Sequence, residues 1–302
     1  MTATGPASVR IFRLMGERLV LARENRLYDL SEWLEREGVP ADWHELFARG
    51  VFEATWLGAR LPEGRETRGW NELALDWDGN APEGAQAPLP PALVGKIVAL
   101  GKNFREHAAE FGEAVPEEPL FFGKLPETLR AHRSSVSVPA WYRGRVDHEA
   151  ELCVVIGKSG YAIPANAAMS HVAGYTVAND LTARSLQGAD REKKFPWFRA
   201  KNMEGFCPLG PAFVPRDWLD LADLRVTARV RGELRQDAST RDLVVRVPEA
   251  LEYISRHIAL HAGDLVLMGT PAGVGPLEDG DEVTCAVSGI GELCTTLRRA
   301  KS

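Results

Sequence analysis

Residues 147–157 read Asp-His-Glu-Ala-Glu-Leu-Cys-Val-Val-Ile-Gly. The second half is a short apolar run rich in β-branched residues and closed by glycine, the pattern of a buried strand. The first half carries acids at alternate positions. On an extended chain alternate side chains share a face, so Asp147, Glu149 and Glu151 are predicted to point the same way. Neighbours two apart lie ~6.5 Å from each other, and at an effective dielectric near 20 each adjacent pair repels by about 2.5 kcal/mol. Acids at the mouth of an apolar strand therefore need a compensating cation: a lysine, an arginine, or a hard metal ion that prefers carboxylate oxygen. A solvated acidic edge is the plainer account of the spacing taken alone.

Asp180 narrows the choice. It ends the run Val172-Ala-Gly-Tyr-Thr-Val-Ala-Asn-Asp180, a second strand-like segment. An acid there is either a ligand projecting into a site or the N-cap of a following helix. Three carboxylates on strand ends suit one Mg²⁺ that keeps several waters, which substrate oxygens can replace. Upstream, Gly101-Lys-Asn-Phe-Arg-Glu-His107-Ala-Ala-Glu110 follows another short strand, Lys96 to Gly101. If the chain is helical from Phe104, His107 and Glu110 are i, i+3 neighbours, and a carboxylate orienting an imidazole is the arrangement of a general base. A surface helix pair is the plain alternative. Gly112, Pro116 and Pro119 with Glu113, Glu117 and Glu118 make the next stretch polar and suited to a lid. Three further segments read as site loops: Arg184 with Gln187, Lys201 in Arg-Ala-Lys-Asn-Met-Glu-Gly, and Gly269-Thr270-Pro-Ala-Gly-Val-Gly275. The last is not a phosphate-binding P-loop, because the following Lys-Ser/Thr is missing.

Outside these motifs, residues 78–91 hold four prolines and two glycines. Neither helix nor central strand survives that composition, so it marks a boundary between a small module, 1–77, and a larger part, 92–302. In the module, Arg18 to Arg23 and Leu27 to Leu30 read as strands around a Glu24-Asn25 turn, and Ser31 is a candidate cap for a short helix. The larger part alternates strand patterns with a single good helix, Pro248 to Leu260. The fold class expected is a β-rich α+β protein, with sheets or a barrel-like roll. The 302 residues carry a formal net charge of −6, which disfavours nucleic acid as a partner. No apolar run approaches a membrane span, the N-terminus lacks a secretory h-region, and Cys153, Cys207, Cys285 and Cys294 include no C-x-x-C pair; a cytoplasmic protein with free thiols is expected.

In this order the motifs resemble the fumarylacetoacetate hydrolase family. The resemblance runs from about residue 95 to the C-terminus, through Ala99-Leu-Gly-Lys-Asn-Phe-Arg-Glu-His107, Pro119-Leu-Phe-Phe-Gly-Lys124, Asp147-His-Glu-Ala-Glu-Leu152, Gly174-Tyr-Thr-Val-Ala-Asn-Asp180, Lys201 with Cys207-Pro-Leu-Gly-Pro211, and Gly269-Thr-Pro-Ala-Gly-Val-Gly275. It implies a mixed β-roll catalytic domain, a homodimer, and Mg²⁺ or Mn²⁺ on Glu149, Glu151 and Asp180. It implies Lys201 beside the metal to polarise substrate, Thr270 to hold a substrate carboxylate with Arg184, Gln187 and Gly269 nearby, and His107 with Glu110 as a lid dyad. Glu204 and Phe104 depart from the Asp and Tyr common in the family. The reaction expected first is hydrolysis of a C–C bond in an acylpyruvate-type 2-oxo acid, through a metal-stabilised enolate. Oxaloacetate decarboxylation and isomerisation of a 2-hydroxy-diene-dioate are the alternatives on the same site. A non-catalytic metal-binding scaffold is the alternative of another class.

Overall fold

The computed structural model describes residues 9–61, 69–74, 77–110 and 116–300, and the side chains of 107–109 fall outside the description. Strand Ala150–Ile156 is buried along its whole length. Leu152, Val154 and Ile156 enter one core, while Cys153 and Val155 enter another. A strand covered on both faces belongs in the middle of a sheet. It lies between Val172–Asn179 and Leu265–Leu267, antiparallel to both.

These strands belong to an eleven-stranded mixed sheet. Its order from one edge is Glu72–Ala74, Arg26–Asp29, Leu19–Arg23, Arg10–Arg13, Cys207–Pro215, Val172–Asn179, Ala150–Ile156, Leu265–Leu267, Ile97–Gly101 and Leu120–Lys124, and Leu129–Arg130 adds a parallel pairing to Cys207–Pro215. A second sheet of five strands, Glu233–Ser239, Arg225–Val230, Glu282–Val287, Gly291–Arg299 and Ser134–Val138, contributes Val226, Cys285 and Leu293 to the core shared with Leu152 and Val154. The result is the β-rich α+β roll that the strand patterns suggest. Helices are short. The longest, Val247–His257, carries Pro248 in its first turn, where no donor is lost, and buries Ala250, Leu251 and Ile254 on one face. Among the described residues no helix is long and apolar enough to cross a membrane.

The N-terminal hairpin turns at Glu24 and Asn25, with φ of 50° and 59°. Two consecutive left-handed residues match the right-handed twist of the flanking strands. The helix that follows, Leu30–Arg36, is capped by Asp29, whose side chain accepts from Glu32 N at 2.9 Å. Ser31, expected to be the cap, sits inside the first turn, and its hydroxyl accepts Leu19 N–H at 2.8 Å. Asp29 takes the role because it still has extended backbone, as an N-cap requires.

No helix or strand forms over 78–90. The segment is nevertheless laid down on the sheet: Gln86 N donates to Arg13 O at 2.7 Å, Arg13 Nε donates to Ala87 O at 2.8 Å, and Leu89 is buried. Strand Arg10–Arg13 pairs with Cys207–Pro215, Ile11 opposite Phe213. One sheet thus runs through the N-terminal module into the larger part. Phe213 joins them on the side-chain level as well, its ring 5.6 Å from Trp43 and 5.0 Å from Phe52. Phe213→Ala is expected to destabilise the protein by about 3–5 kcal/mol. A urea titration should show both parts unfolding in one transition. A separate early transition would mean that the N-terminal part is only loosely held.

Candidate active site

The site follows from strand register. Ala150 stands opposite Asn179, and Glu151 opposite Ala178. The acids that open one strand therefore meet the acid that ends the other. Asp180 N donates to Glu149 O at 2.9 Å, and Asn179 Oδ1 accepts Glu149 N–H at 3.0 Å. Glu149, Glu151 and Asp180 are all buried, and one carboxylate oxygen from each lies within 4.8 Å of the others. Asp147 does not join them. Its oxygens accept Arg145 Nε at 2.5 Å and Arg184 Nε at 2.8 Å. The face expected to carry three acids carries two, because His148 and Glu149 lie outside the strands Val146–Asp147 and Ala150–Ile156 and break the alternation.

Both kinds of compensation foreseen for these acids are available. Lys201 Nζ donates to Glu149 Oε2 at 2.8 Å and to Asp180 Oδ2 at 2.6 Å. Burial pulls its ammonium pKa down, but Asp180 and Glu149 outweigh burial and hold it above the ordinary lysine value. Lys124, fully buried, places Nζ 2.7 Å from Asp180 Oδ1 and donates to Lys201 O at 2.5 Å. Arg184 bridges Asp147 and Glu149. Glu151 has no ion pair among the described residues. It accepts Gly269 N–H at 2.6 Å, and burial, reinforced by Asp180 and Glu149, pushes its carboxyl well above the usual range. Gly269 has φ of 88°, and a Cβ there would meet Asn103 Cβ at 2.8 Å, so this approach of backbone to Glu151 needs glycine.

The three carboxylates fit a hard divalent ion. They offer only oxygen, and Asp180 Oδ1 lacks an aligned hydrogen bond in spite of its proximity to Lys124. Above the cluster opens a cavity of about 210 Å³, lined by Glu149 and Glu151, by Lys102, Arg184, Arg191 and Lys201, and by Phe122, Trp197, Gln187 and Thr270. Gln187 Oε1 accepts Arg184 Nη1 at 2.6 Å. The Thr270 hydroxyl donates to Ala150 O at 2.9 Å and accepts Gln236 Nε2 at 2.8 Å, so its proton is directed into the protein.

Glu110 closes the helix Arg105–Glu110, which also contains His107, whose side chain lies outside the described residues. The Glu110 carboxylate accepts Gly273 N–H at 3.2 Å, tying this helix to the 269–275 loop away from the cavity lining. Of the stretch expected to form a lid, residues 111–115, which include Gly112 and Glu113, lie outside the described residues; Glu118 accepts the Tyr253 hydroxyl at 3.1 Å. Neither departure from the family pattern lines the cavity: Phe104 is buried, and Glu204 is exposed and paired with Arg130. Two contributors had no role assigned from sequence. Lys124 stood in the sequence as the last residue of the Pro119–Lys124 motif, with no role given to it. Gln236, the one buried residue of strand Glu233–Ser239, accepts Ala150 N–H at 3.0 Å and donates to Pro271 O at 2.7 Å, clamping the 269–275 loop to the carboxylate strand.

Together these features define a small cation-rimmed pocket with a buried carboxylate cluster at its base that could hold a metal ion. Residues 96–298, two thirds of the chain, match the family described as Fumarylacetoacetate (FAA) hydrolase C-terminal, and the chain belongs to it. It is 40% identical over 217 residues to oxaloacetate tautomerase YisK of Bacillus subtilis, covering 68% of this chain and 70% of that one. Fumarylpyruvate hydrolase from Pseudomonas aeruginosa, solved in complex with Mn²⁺ and pyruvate, is 34% identical, with a TM-score of 0.65 over 68% of this chain and 91% of its own. A fumarylacetoacetate hydrolase from Exiguobacterium antarcticum matches nearly end to end, at 29% identity and a TM-score of 0.78 over 97% of this chain and 100% of its own.

The raised Glu151 carboxyl carries a consequence for stability. The folded protein holds that proton more tightly than the unfolded chain, so as pH rises past the unfolded value the ionised carboxylate counts against the metal-free fold. Glu151→Gln, which keeps the acceptor for Gly269 N–H, should raise the melting temperature of metal-free protein near neutral pH and abolish the further rise on adding Mn²⁺. A lower melting temperature in EDTA would show that the charge of Glu151 is already compensated within the protein.

Proposed function

We propose that this protein acts on short 2-oxo dicarboxylates, with oxaloacetate the leading substrate and interconversion of its enol and keto forms the reaction. The observation that carries the reading is the cavity. At about 210 Å³ it lies below the ~300–1,000 Å³ usual for drug-sized ligands, and four cationic side chains line it. A compact dianion suits that volume and charge. The similarity to a protein named oxaloacetate tautomerase supports the same choice.

A divalent ion held by Glu149, Glu151 and Asp180 would supply Lewis acidity toward the 2-oxo and adjacent carboxylate oxygens. The remaining work falls to the chain. Removing a proton from C3 moves its electron pair into a C2–C3 double bond and leaves negative charge on the C2 oxygen. Lys201, charged and buried beside Glu149 and Asp180, stabilises that charge where water cannot compete. Lys102 and Arg191 face the far carboxylate, and Phe122 and Trp197 cover the reacting carbons. The residue expected from the sequence to carry the C3 proton is His107, with Glu110 three positions further along the same helix. Delivering that proton to the C2 oxygen gives the enol, and moving it back from the C2 oxygen to C3 restores the ketone, so tautomerisation consumes neither water nor a second reactant.

Hydrolysis of acylpyruvates, the reaction expected first from sequence, becomes the second reading. It is favoured by the likeness to a fumarylpyruvate hydrolase holding pyruvate. It takes second place because it needs room for a longer acyl arm and an attacking water in a pocket this small.

Enol-oxaloacetate absorbance followed with purified protein and Mg²⁺ or Mn²⁺ should decay faster than in buffer, with pyruvate formation measured in parallel to report decarboxylation. Turnover of an acylpyruvate with no effect on enol decay would replace the first reading by the second. Lys201→Met should keep the fold and lower kcat by about 10²–10³, the scale of losing one electrostatic partner of a developing oxyanion. If only KM rises, Lys201 binds substrate and takes no part in the chemical step.

A further inference from the structure

The large sheet has a second cavity, on the face turned away from the carboxylates. Leu152 follows Glu151 in sequence and points to the opposite side, as strand alternation demands. With Tyr175, Leu219, Leu243 and Val247 it lines a space of about 400 Å³. That volume falls within the ~300–1,000 Å³ range of small-molecule sites, and the lining is mainly apolar. Most polar groups around it are already used. The Thr240 hydroxyl donates to Leu221 O and accepts Leu224 N–H, Asp220 accepts Ala222 N–H, and Arg216 donates to Met169 O.

Two groups are not used. Tyr175 is 1% exposed, yet among the described residues its hydroxyl has no hydrogen-bond partner, which is unusual for a buried tyrosine. Arg246 stands exposed at the rim and makes no ion pair among the described residues. It is also the N-cap of the eleven-residue helix Val247–His257, and no side chain caps that end. The helix N-terminus adds partial positive charge beside the guanidinium. Glu249, the acid of that first turn, does not line this cavity; it lines the neighbouring surface groove that Arg246 also borders, with Tyr253 and Arg256.

We infer that this cavity is a second binding site, for a small organic acid with an apolar body, an anionic end held by Arg246 and the helix N-terminus, and an acceptor oxygen for the Tyr175 hydroxyl. Neither part alone accounts for the lining: a hydrocarbon leaves the buried Tyr175 hydroxyl without a partner and makes no use of the Arg246 charge, and a compact polar anion leaves the apolar walls uncovered. The site is separate from the 2-oxo acid pocket, since no residue lines both.

The probe is 8-hydroxyoctanoate, titrated calorimetrically into the full-length protein, with octanoate as the comparison. Wild type should bind the hydroxy acid more tightly than octanoate, and Tyr175→Phe should erase the difference. Arg246→Gln should weaken both by about tenfold, the scale of one charge-assisted hydrogen bond. Leu243→Trp should block binding by filling the space. Hydrogen exchange on wild type reads the location without any variant: amides of residues 244–247 should slow when the probe is added. No binding up to millimolar concentration, equal binding by Arg246→Gln, or slowed exchange confined to residues around Glu149 would each overturn the assignment.

Discussion

Lys201 Nζ sits 2.8 Å from Glu149 and 2.6 Å from Asp180 in a place with almost no water, and the rest of the site is arranged around that contact. A buried ion pair gains little net stability, because desolvation cancels most of the attraction. Removing one partner is far more damaging, since it strands a charge. Here the pairing extends outward: Lys124 reaches Asp180, Arg184 reaches Glu149 and Asp147, and Arg145 closes on Asp147. Glu151 is the acid left over, held by a backbone N–H alone. Four cations thus face four acids, and Glu151 is the one carboxylate among them with no direct cation partner among the described residues, so it is where an added cation gains most.

Such a cluster needs a rigid frame, and the frame is the central position of strand Ala150–Ile156. Its alternate side chains serve two cores, one shared with the five-stranded sheet and one shared with the aromatic N-terminal module. Packing on both faces fixes the register with Val172–Asn179, and the register brings Asp180 to Glu149. The N-terminal module therefore supports the chemistry at a distance. Among the described residues it supplies none to the cavity, but its tryptophans and phenylalanines cover the face that carries Cys153 and Val155.

Much of this was legible in the chain. Short apolar runs placed the strands Ile97–Gly101, Ala150–Ile156 and Val172–Asn179 to within a residue at each end, and the acids at their ends marked the carboxylate cluster. What escaped depended on tertiary neighbours. Lys124 follows Leu-Phe-Phe-Gly, and nothing local says that its ammonium will cross to Asp180. Gln236 lies in a strand whose other side chains are largely exposed, so its burial reflects the loop it clamps. Asp147 was grouped with Glu149 and Glu151 because alternation was extended through residues that are not strand. The proline-rich stretch at 78–91 was read as lacking helix and strand, which holds up to residue 90, where a short 3-10 turn begins at Pro91; composition could not reveal that the sheet continues past it through a pairing of Ile11 with Phe213.

Asn103 shows how closely the turn at Met268–Gly269 and the wall of the second cavity are joined. Its side-chain amide donates to Met268 O at 2.8 Å, one residue before the glycine that binds Glu151. The same amide donates to Val245 O at 3.0 Å, and its oxygen accepts Val245 N–H at 2.8 Å. Val244 N donates to Asn103 O, and Phe104 bridges Leu243. Two residues beyond Asn103 begins the helix that carries His107 and Glu110. A single buried amide therefore fixes three segments at once: the turn that orients Glu151, the start of the helix Arg105–Glu110, and the 243–246 wall. Aspartate at this position would keep the acceptor for Val245 N–H but lose both donated bonds, leaving two buried carbonyls facing a carboxylate. The geometry of Gly269 and the seating of the helix are set by the same few hydrogen bonds, so neither can shift while the other stays in place.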